Sequence, residues 1–466
     1  MDFTKNDFLG SFADENVEFN VKVVRTTTLG DNFWKVMIFL ENTRYIKGND
    51  ADLFYPVPGS DTVKAAAVNA STFADYLQSA GNALGVWLSD LFGNGFSGDC
   101  ILVACGQDID TSTMPSLLDT VVTVADLPDD TTGTSIVGGS LYGVTTDEEH
   151  DGKATYYEAV VDGTAVTWTY QGILATVDNF KIDMAIAYEL MKAYAYHKTV
   201  LAGETDGVID PQIAVSLATL CGQKGDYKLL SAAPYFPYTT STPGTPLSDP
   251  LFSALITATV PAGNDTLDAF MCASQYAGHN GALVSLGIAL SYTNGSGTCV
   301  GNSIDMSATS SFIPSGADGT DLPRTVKATL TRNNIQYYKY VGDGTNVNVA
   351  AYGAKTLKGD VMQAIWIVSY VSFMTKCNVA ILMTHSKNFK RDALAYSRII
   401  ETMRGQISKF GDAGAGRLTN ILITAPAYKD LPPSDGDTIE VPNAWSAWYV
   451  DQVRNVKIYG TLYIGG

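Results

Sequence analysis

The chain predicts a mixed α/β (α+β) fold of several domains, in which terminal β-arms flank an α/β host carrying a small inserted β module. Three observations predict it. Val456, Ile458, Leu462 and Ile464 alternate with Lys457, Tyr459, Thr461 and Tyr463, the period of two that marks a two-faced strand. Phe33–Leu40, a helical stripe after Asn69, and the apolar run Cys100–Cys105 follow one another as strand, helix and strand. Between them and the next helix, residues 121–172 carry nine acids against one base, Lys153, in short strand-and-turn units.

Composition bounds the rest. The 466 residues are 46% apolar and 17% charged, below the roughly 25% charged of an average soluble protein, as suits β-rich surfaces that partners cover. A net charge of -18 repels phosphates and excludes general nucleic-acid affinity. The six cysteines are scattered, without a CxxC pair, and read as buried thiols rather than a disulfide framework. The acidic N-terminus resembles no signal peptide, and the apolar run 361–374 is too short to span a bilayer. The expectation is a protein made in a cytoplasm, without direct membrane insertion.

In order along the chain, residues 1–30 read as an arm and a strand, Val17–Val24, with Val21 and Val23 on one face. Asn69–Thr72 predicts a cap for a helix running through Leu84 and stopped by Gly85. Residues 31–120 and 173–330 form a discontinuous host domain, interrupted by the acidic module at 121–172. The spacing of Met184, Tyr188, Met191, Ala195 and Lys198 predicts a helix over 178–202, which makes His197 a packed helix residue. A shorter helix follows over 211–221. Five prolines mark 233–250 as a loop, and 265–290 turns helical in its second half.

The remainder, 331–466, reads as a C-terminal domain. It opens with a hairpin around Gly342-Asp343-Gly344. One helix runs from Asp360 to about Phe373, and a second from Asn388 to Phe410 with Tyr396, Ile400, Met403, Ile407 and Phe410 on one face. A strand over 420–425 precedes the terminal strand. A long apolar strand with nothing beyond it either pairs within its own domain or completes a neighbour's sheet.

Catalytic patterns are missing from the sequence. Gly353-Ala354-Lys355-Thr356 lacks the glycine spacing of a phosphate loop, and no GxSxG elbow exists. His150, His197, His279 and His385 share no metal-ligand spacing. Asp108–Ser112 begins like a calcium loop, yet Thr113 stands at the glycine position and Asp119 at the closing glutamate. The turn Asp147–Asp151 reads as a solvated acidic loop. No cofactor or metal is called for, and no enzyme. One charge feature stands out: Lys387, Lys390, Arg391, Arg398, Arg404 and Lys409 against Asp392 and Glu401 give +4 over 387–409. Either this is a solvated helix face or it docks on an acidic partner and sets its register.

Asp360 leading a helix with Trp366, a link through Cys377, Asp392 opening the basic helix, Gly411 as its stop, and Ala444-Trp445 before the last strand resemble the sheath proteins of contractile phage tails. The likeness is greatest to the shorter, divergent sheath family once known only as a domain of unknown function, and it covers about two thirds of the chain. It implies a virion protein, assembled in the host cytoplasm, that stacks in sixfold helical rings of identical copies around a tail tube. It implies strand exchange between copies, with Val21, Val23, Val456, Ile458, Leu462 and Ile464 as exchanged positions. It also implies tube contact through Arg391, Arg398, Arg404 and Lys409, and partners in the tube, baseplate and tail terminator proteins. The module at 121–172 departs from the family and resembles small β inserts of virion proteins. A decoration protein or adhesin that binds host glycan through that module is the alternative. A hydrolase using Asp147 and Glu149 is a third reading, with no pocket to support it.

Overall fold

A computed structural model of the chain describes residues 35–41, 53–60, 62–79, 83–106, 114–192, 197–201, 210–222, 229–232, 249–259, 269–273, 279–290, 308–309, 322–342, 347–352, 355–385, 390–411, 418–431, 439, 441 and 444–449.

The strands are β1 (Val36–Glu41), β2 (Tyr55–Pro56), β3 (Lys64–Val68), β4 (Cys100–Cys105), β5 (Asp119–Val121), β6 (Leu141–Asp147), β7 (Lys153–Asp162) and β8 (Ala165–Ile173). They continue as β9 (His197–Leu201), β10 (Leu229–Ala232), β11 (Ala269–Met271), β12 (Ala308–Thr309), β13 (Tyr337–Gly342), β14 (Val347–Tyr352), β15 (Leu418–Ile423) and β16 (Trp445–Tyr449). The α-helices are α1 (Ala83–Phe92), α2 (Val177–Met191), α3 (Pro211–Cys221), α4 (Pro250–Thr259), α5 (Gly281–Leu290), α6 (Arg324–Arg332), α7 (Met362–His385) and α8 (Ala393–Ser408). This is the mixed α/β class that the sequence predicts.

The host is a seven-stranded sheet in the order β11-β10-β9-β1-β4-β3-β2. Its five strands from β11 to β4 run parallel, and β3 turns antiparallel against β4. Helices must cover both faces of such a sheet, so its central strands read as unbroken apolar runs. VMIFLE and CILVAC are buried at every position, including Glu41. Their cysteines are thiols in that core, and burial pushes the Cys100 thiol far up. Helices α1 and α5 cross at Gly287, where an added Cβ would stand 2.5 Å from the Leu91 carbonyl oxygen. Asp90 of α1 reaches that crossing. Its carboxylate accepts from the Asn280 backbone amide at 2.8 Å and pairs with His279 Nδ1 at 2.9 Å, just ahead of α5.

Three expectations about element bounds need correction. Asn69 does organise a turn, its Oδ1 accepting from the Ser71 amide and hydroxyl. That turn leads, however, into a 3-10 helix over Phe73–Ser79. The α-helix begins only at Ala83, so Gly85 sits within its first turn and stops nothing. Helix α2 ends at Met191, and His197–Leu201 is instead a parallel strand beside β1. The β-branched pair Thr199-Val200 in a central sheet slot outweighs a helical spacing that Ala195 and Lys198 match by coincidence. Helix α7 runs across Lys376 and Cys377 to His385, because no glycine or proline interrupts it and lysine propagates a helix well. None of the described helices is long and apolar enough to cross a membrane.

The segment between β4 and α2 forms a separate four-stranded sheet, β5-β6-β7-β8. Ile136, Tyr142, Ala159 and Val166 make its own small core. Buried polar links tie it to the host. Lys153 of β7 pairs with Asp183 of α2 at 2.5 Å, both nearly inaccessible. Asn179 of α2 accepts from the Ala154 amide and donates to the Ala154 and Leu174 carbonyls. Gly106, with φ +65, lets the backbone lie against the Asp183 carboxylate, where a side chain would collide.

Candidate assembly surfaces

Helix α8 is the basic element that the charge pattern singles out, and its sequence explains its placement. Asp392 caps it, the carboxylate accepting from the Ala395 amide at 2.8 Å. Ala395, Tyr396, Ile400, Met403 and Ile407 recur at helical spacing and are buried, with Phe410 closing the stripe. Two phenols fasten the helix to the following segment: Tyr396 donates to the Pro426 carbonyl at 2.5 Å, and Tyr428 to the Arg391 carbonyl at 2.8 Å.

The opposite face carries the charge. Arg391, Arg398 and Arg404 are exposed, as is Leu394, while Lys409 is only half-exposed. Their surroundings differ. Arg404 pairs with Glu401 at 2.6 Å, a solvent-exposed pair that cancels local charge and adds little stability. Lys409 donates to the Gln406 amide oxygen, and burial lowers its pKa. Arg398 makes no ion pair among the described residues. The predicted basic face thus keeps Arg398 as a cation without an ion pair among the described residues, with Arg404 largely neutralised.

Against α8 lies a sheet of two strands, β15 and β16. The antiparallel register pairs Leu418 with Tyr449, Thr419 with Trp448, Leu422 with Ser446 and Ile423 with Trp445. A bulge between Thr419 and Leu422, with Asn420 at φ +49, keeps the alternation in phase on both sides. Ile421, Ile423, Trp445, Ala447 and Tyr449 point inward and pack on the main core. Leu422 and Trp448 point out, 60% and 72% exposed. Among the described residues this sheet holds two strands, the Leu418 amide of β15 donating to the Phe410 carbonyl at 2.8 Å, and a two-stranded sheet is marginal by itself.

Sequence reasoning missed Trp448 and Leu422. A signal existed: a period of two sends Trp445 and Trp448, three apart, to opposite faces, so one indole had to face outward. The strand-exchange positions Val21, Val23, Val456, Ile458, Leu462 and Ile464 lie outside the described residues, as do Lys387 and the calcium-like loop at Asp108. His150 and His279 each pair with an aspartate, and His385 lies against the Ile381 carbonyl at the end of α7. No cluster of metal-ligating side chains occurs among the described residues.

The acidic turn is organised rather than simply solvated. Asp147 is fully buried, and its carboxylate accepts from the Tyr157 hydroxyl at 2.6 Å, the Thr155 hydroxyl at 2.8 Å and the Glu149 amide at 3.1 Å. His150 Nδ1 lies 3.0 Å away, and its ring stacks on Tyr170 at 4.2 Å between centroids. Burial pushes the Asp147 pKa up, but the bonds from Tyr157, Thr155 and His150 outweigh it and hold the carboxyl below the usual range. Burial, then the Asp147 charge, pushes the Tyr157 phenol up to about 12.

No protein-family model matches the chain, and no curated protein sequence matches it. Among solved structures, the chain is similar to a chain of the cryo-EM structure of the anti-feeding prophage (AFP) baseplate, 6-fold symmetrised. The TM-score is 0.46 at 10% identity, over 96% of this chain and 99% of that chain.

Proposed function

We propose that this protein is a sheath subunit of a contractile phage tail, a structural virion protein that polymerises around the tail tube and contracts to drive the tube through the host envelope. One observation carries the reading. The C-terminal region holds a sheet of two strands among the described residues, too few to be stable by itself, with Trp448 and Leu422 turned outward. Strands donated by neighbouring copies would complete that sheet through main-chain hydrogen bonds. Covering the Trp448 indole would add about 3 kcal/mol per contact. The resemblance in the sequence supports the same reading, since it rests on the residues that build α7, α8 and β16.

In this role the basic face of α8, led by Arg391 and Arg398, meets an acidic surface of the tube and fixes register more than affinity. The function is mechanical, and contraction releases free energy stored in interfaces between copies. Electron microscopy of the purified protein, alone and with tube protein, tests this. Tubes or helical polymers that disappear on removal of residues 453–466 are expected. A protein that remains monomeric with tube protein present sinks the assignment.

A further inference from the structure

The inserted sheet ends in an edge that the fold covers only in part. Strand β8 pairs with β7 on one side, from Asp162 opposite Ala165 to Thr155 opposite Ile173. On its other side the segment Pro128–Thr131 covers the first residues. The Val166 amide donates to the Asp129 carbonyl at 2.8 Å, the Thr131 amide to the Thr164 carbonyl at 2.9 Å, and the Trp168 indole to the Pro128 carbonyl at 2.8 Å.

Val166 therefore directs its N–H away from β7, and a period of two directs those of Trp168 and Tyr170 the same way. Those two amides meet no partner on that edge among the described residues. Natural sheets blunt such an edge with lysine, proline or a bulge that turns it aside. Ala165–Ile173 contains neither lysine nor proline, and its one bulge, at Gln171, comes only after Trp168 and Tyr170.

Charge says what the edge receives. The stacking of His150 on Tyr170 sets the acidic turn beside it, with Glu148, Glu149 and Asp151 exposed. Asp129 and Asp130 stand exposed at the other end. The only base in residues 121–172, Lys153, is buried against Asp183. An anionic strand would meet like charge at both ends, whereas a cationic one meets complementary charge there.

We propose that the outer edge of β8 at Trp168–Tyr170 captures an extended, lysine- or arginine-bearing segment of a partner protein by strand addition. The site lies on the insert and does not depend on the sheath reading. Direct binding to the full-length protein, followed by fluorescence anisotropy, tests it with two labelled peptides of about ten residues, one alternating Lys with Thr and one alternating Glu with Thr. The Lys peptide is expected to bind at least about tenfold tighter and to weaken as added salt shortens the screening length.

Tyr170→Pro removes an outward amide at no cost to the β7 ladder and is expected to lower that affinity about tenfold or more. The surface pair Glu148→Lys with Glu149→Lys is expected to reduce it as well, and remains informative if the proline variant misfolds. Equal binding of both peptides, or binding of the Lys peptide unchanged by both variants, overturns the proposal. Concentration-dependent self-association that Tyr170→Pro abolishes also overturns it, because the edge would then belong to a second copy.

Discussion

The inserted sheet and the C-terminal sheet solve the same problem in opposite ways. The insert is nearly self-sufficient: four strands, a private core at Tyr142, Ala159 and Val166, and buried polar links to α2 through Lys153, Asp183 and Asn179. Its β8 edge is covered only over its first residues. The C-terminal sheet has two strands, a buried face that rests on the main core, and an outer face showing Trp448 and Leu422. A sheet of two strands with apolar surface outside offers that surface to a partner.

The contrast breaks first at Lys153. Lys153→Ala leaves the Asp183 carboxylate buried without its cation and is expected to cost about 3–5 kcal/mol in chemical denaturation. A cost below about 1 kcal/mol would mean that the insert hangs on its host without this pair. Asp147→Asn comes next. It forfeits the charge-assisted bonds from Tyr157, Thr155 and His150 and is expected to cost about 2 kcal/mol, read by hydrogen exchange across β6–β8.

Acid titration probes the same carboxylate. A folded pKa held below the unfolded value means that ionised Asp147 stabilises the fold above about pH 3.9, and that this contribution is lost as pH falls through the lower folded value. Exchange protection in the insert is therefore expected to fall in that acid range in the wild type and to be insensitive to it in Asp147→Asn. Trp448→Ser is expected to leave stability within about 0.5 kcal/mol, because the indole is largely outside already, while shortening or abolishing polymers in electron micrographs. Arg404→Ala has the smallest expected effect, roughly 0.3 kcal/mol, since its partner Glu401 is as exposed as itself. A larger loss of tube binding for Arg404→Ala than for Arg398→Ala would reverse the ranking of the basic face.

Local chemistry determined by the sequence includes the opening of α8 at Asp392 and its buried stripe, the apolar strands VMIFLE and CILVAC, and the helix over 211–221. Each depends on spacing along one element, which the chain states directly. Tertiary structure decided the rest. His197–Leu201 became a strand because a central slot beside β1 rewards β-branched residues whatever their helical spacing. Asp147 left the solvent because the pairing of β6 with β7 folds the Tyr157 and Thr155 hydroxyls back onto it, and Lys153 and Asp183 met across thirty positions of sequence. Which indole of β16 faces outward likewise followed from where the core lay. Such facts depend on contacts between elements, and no period along a single segment encodes them.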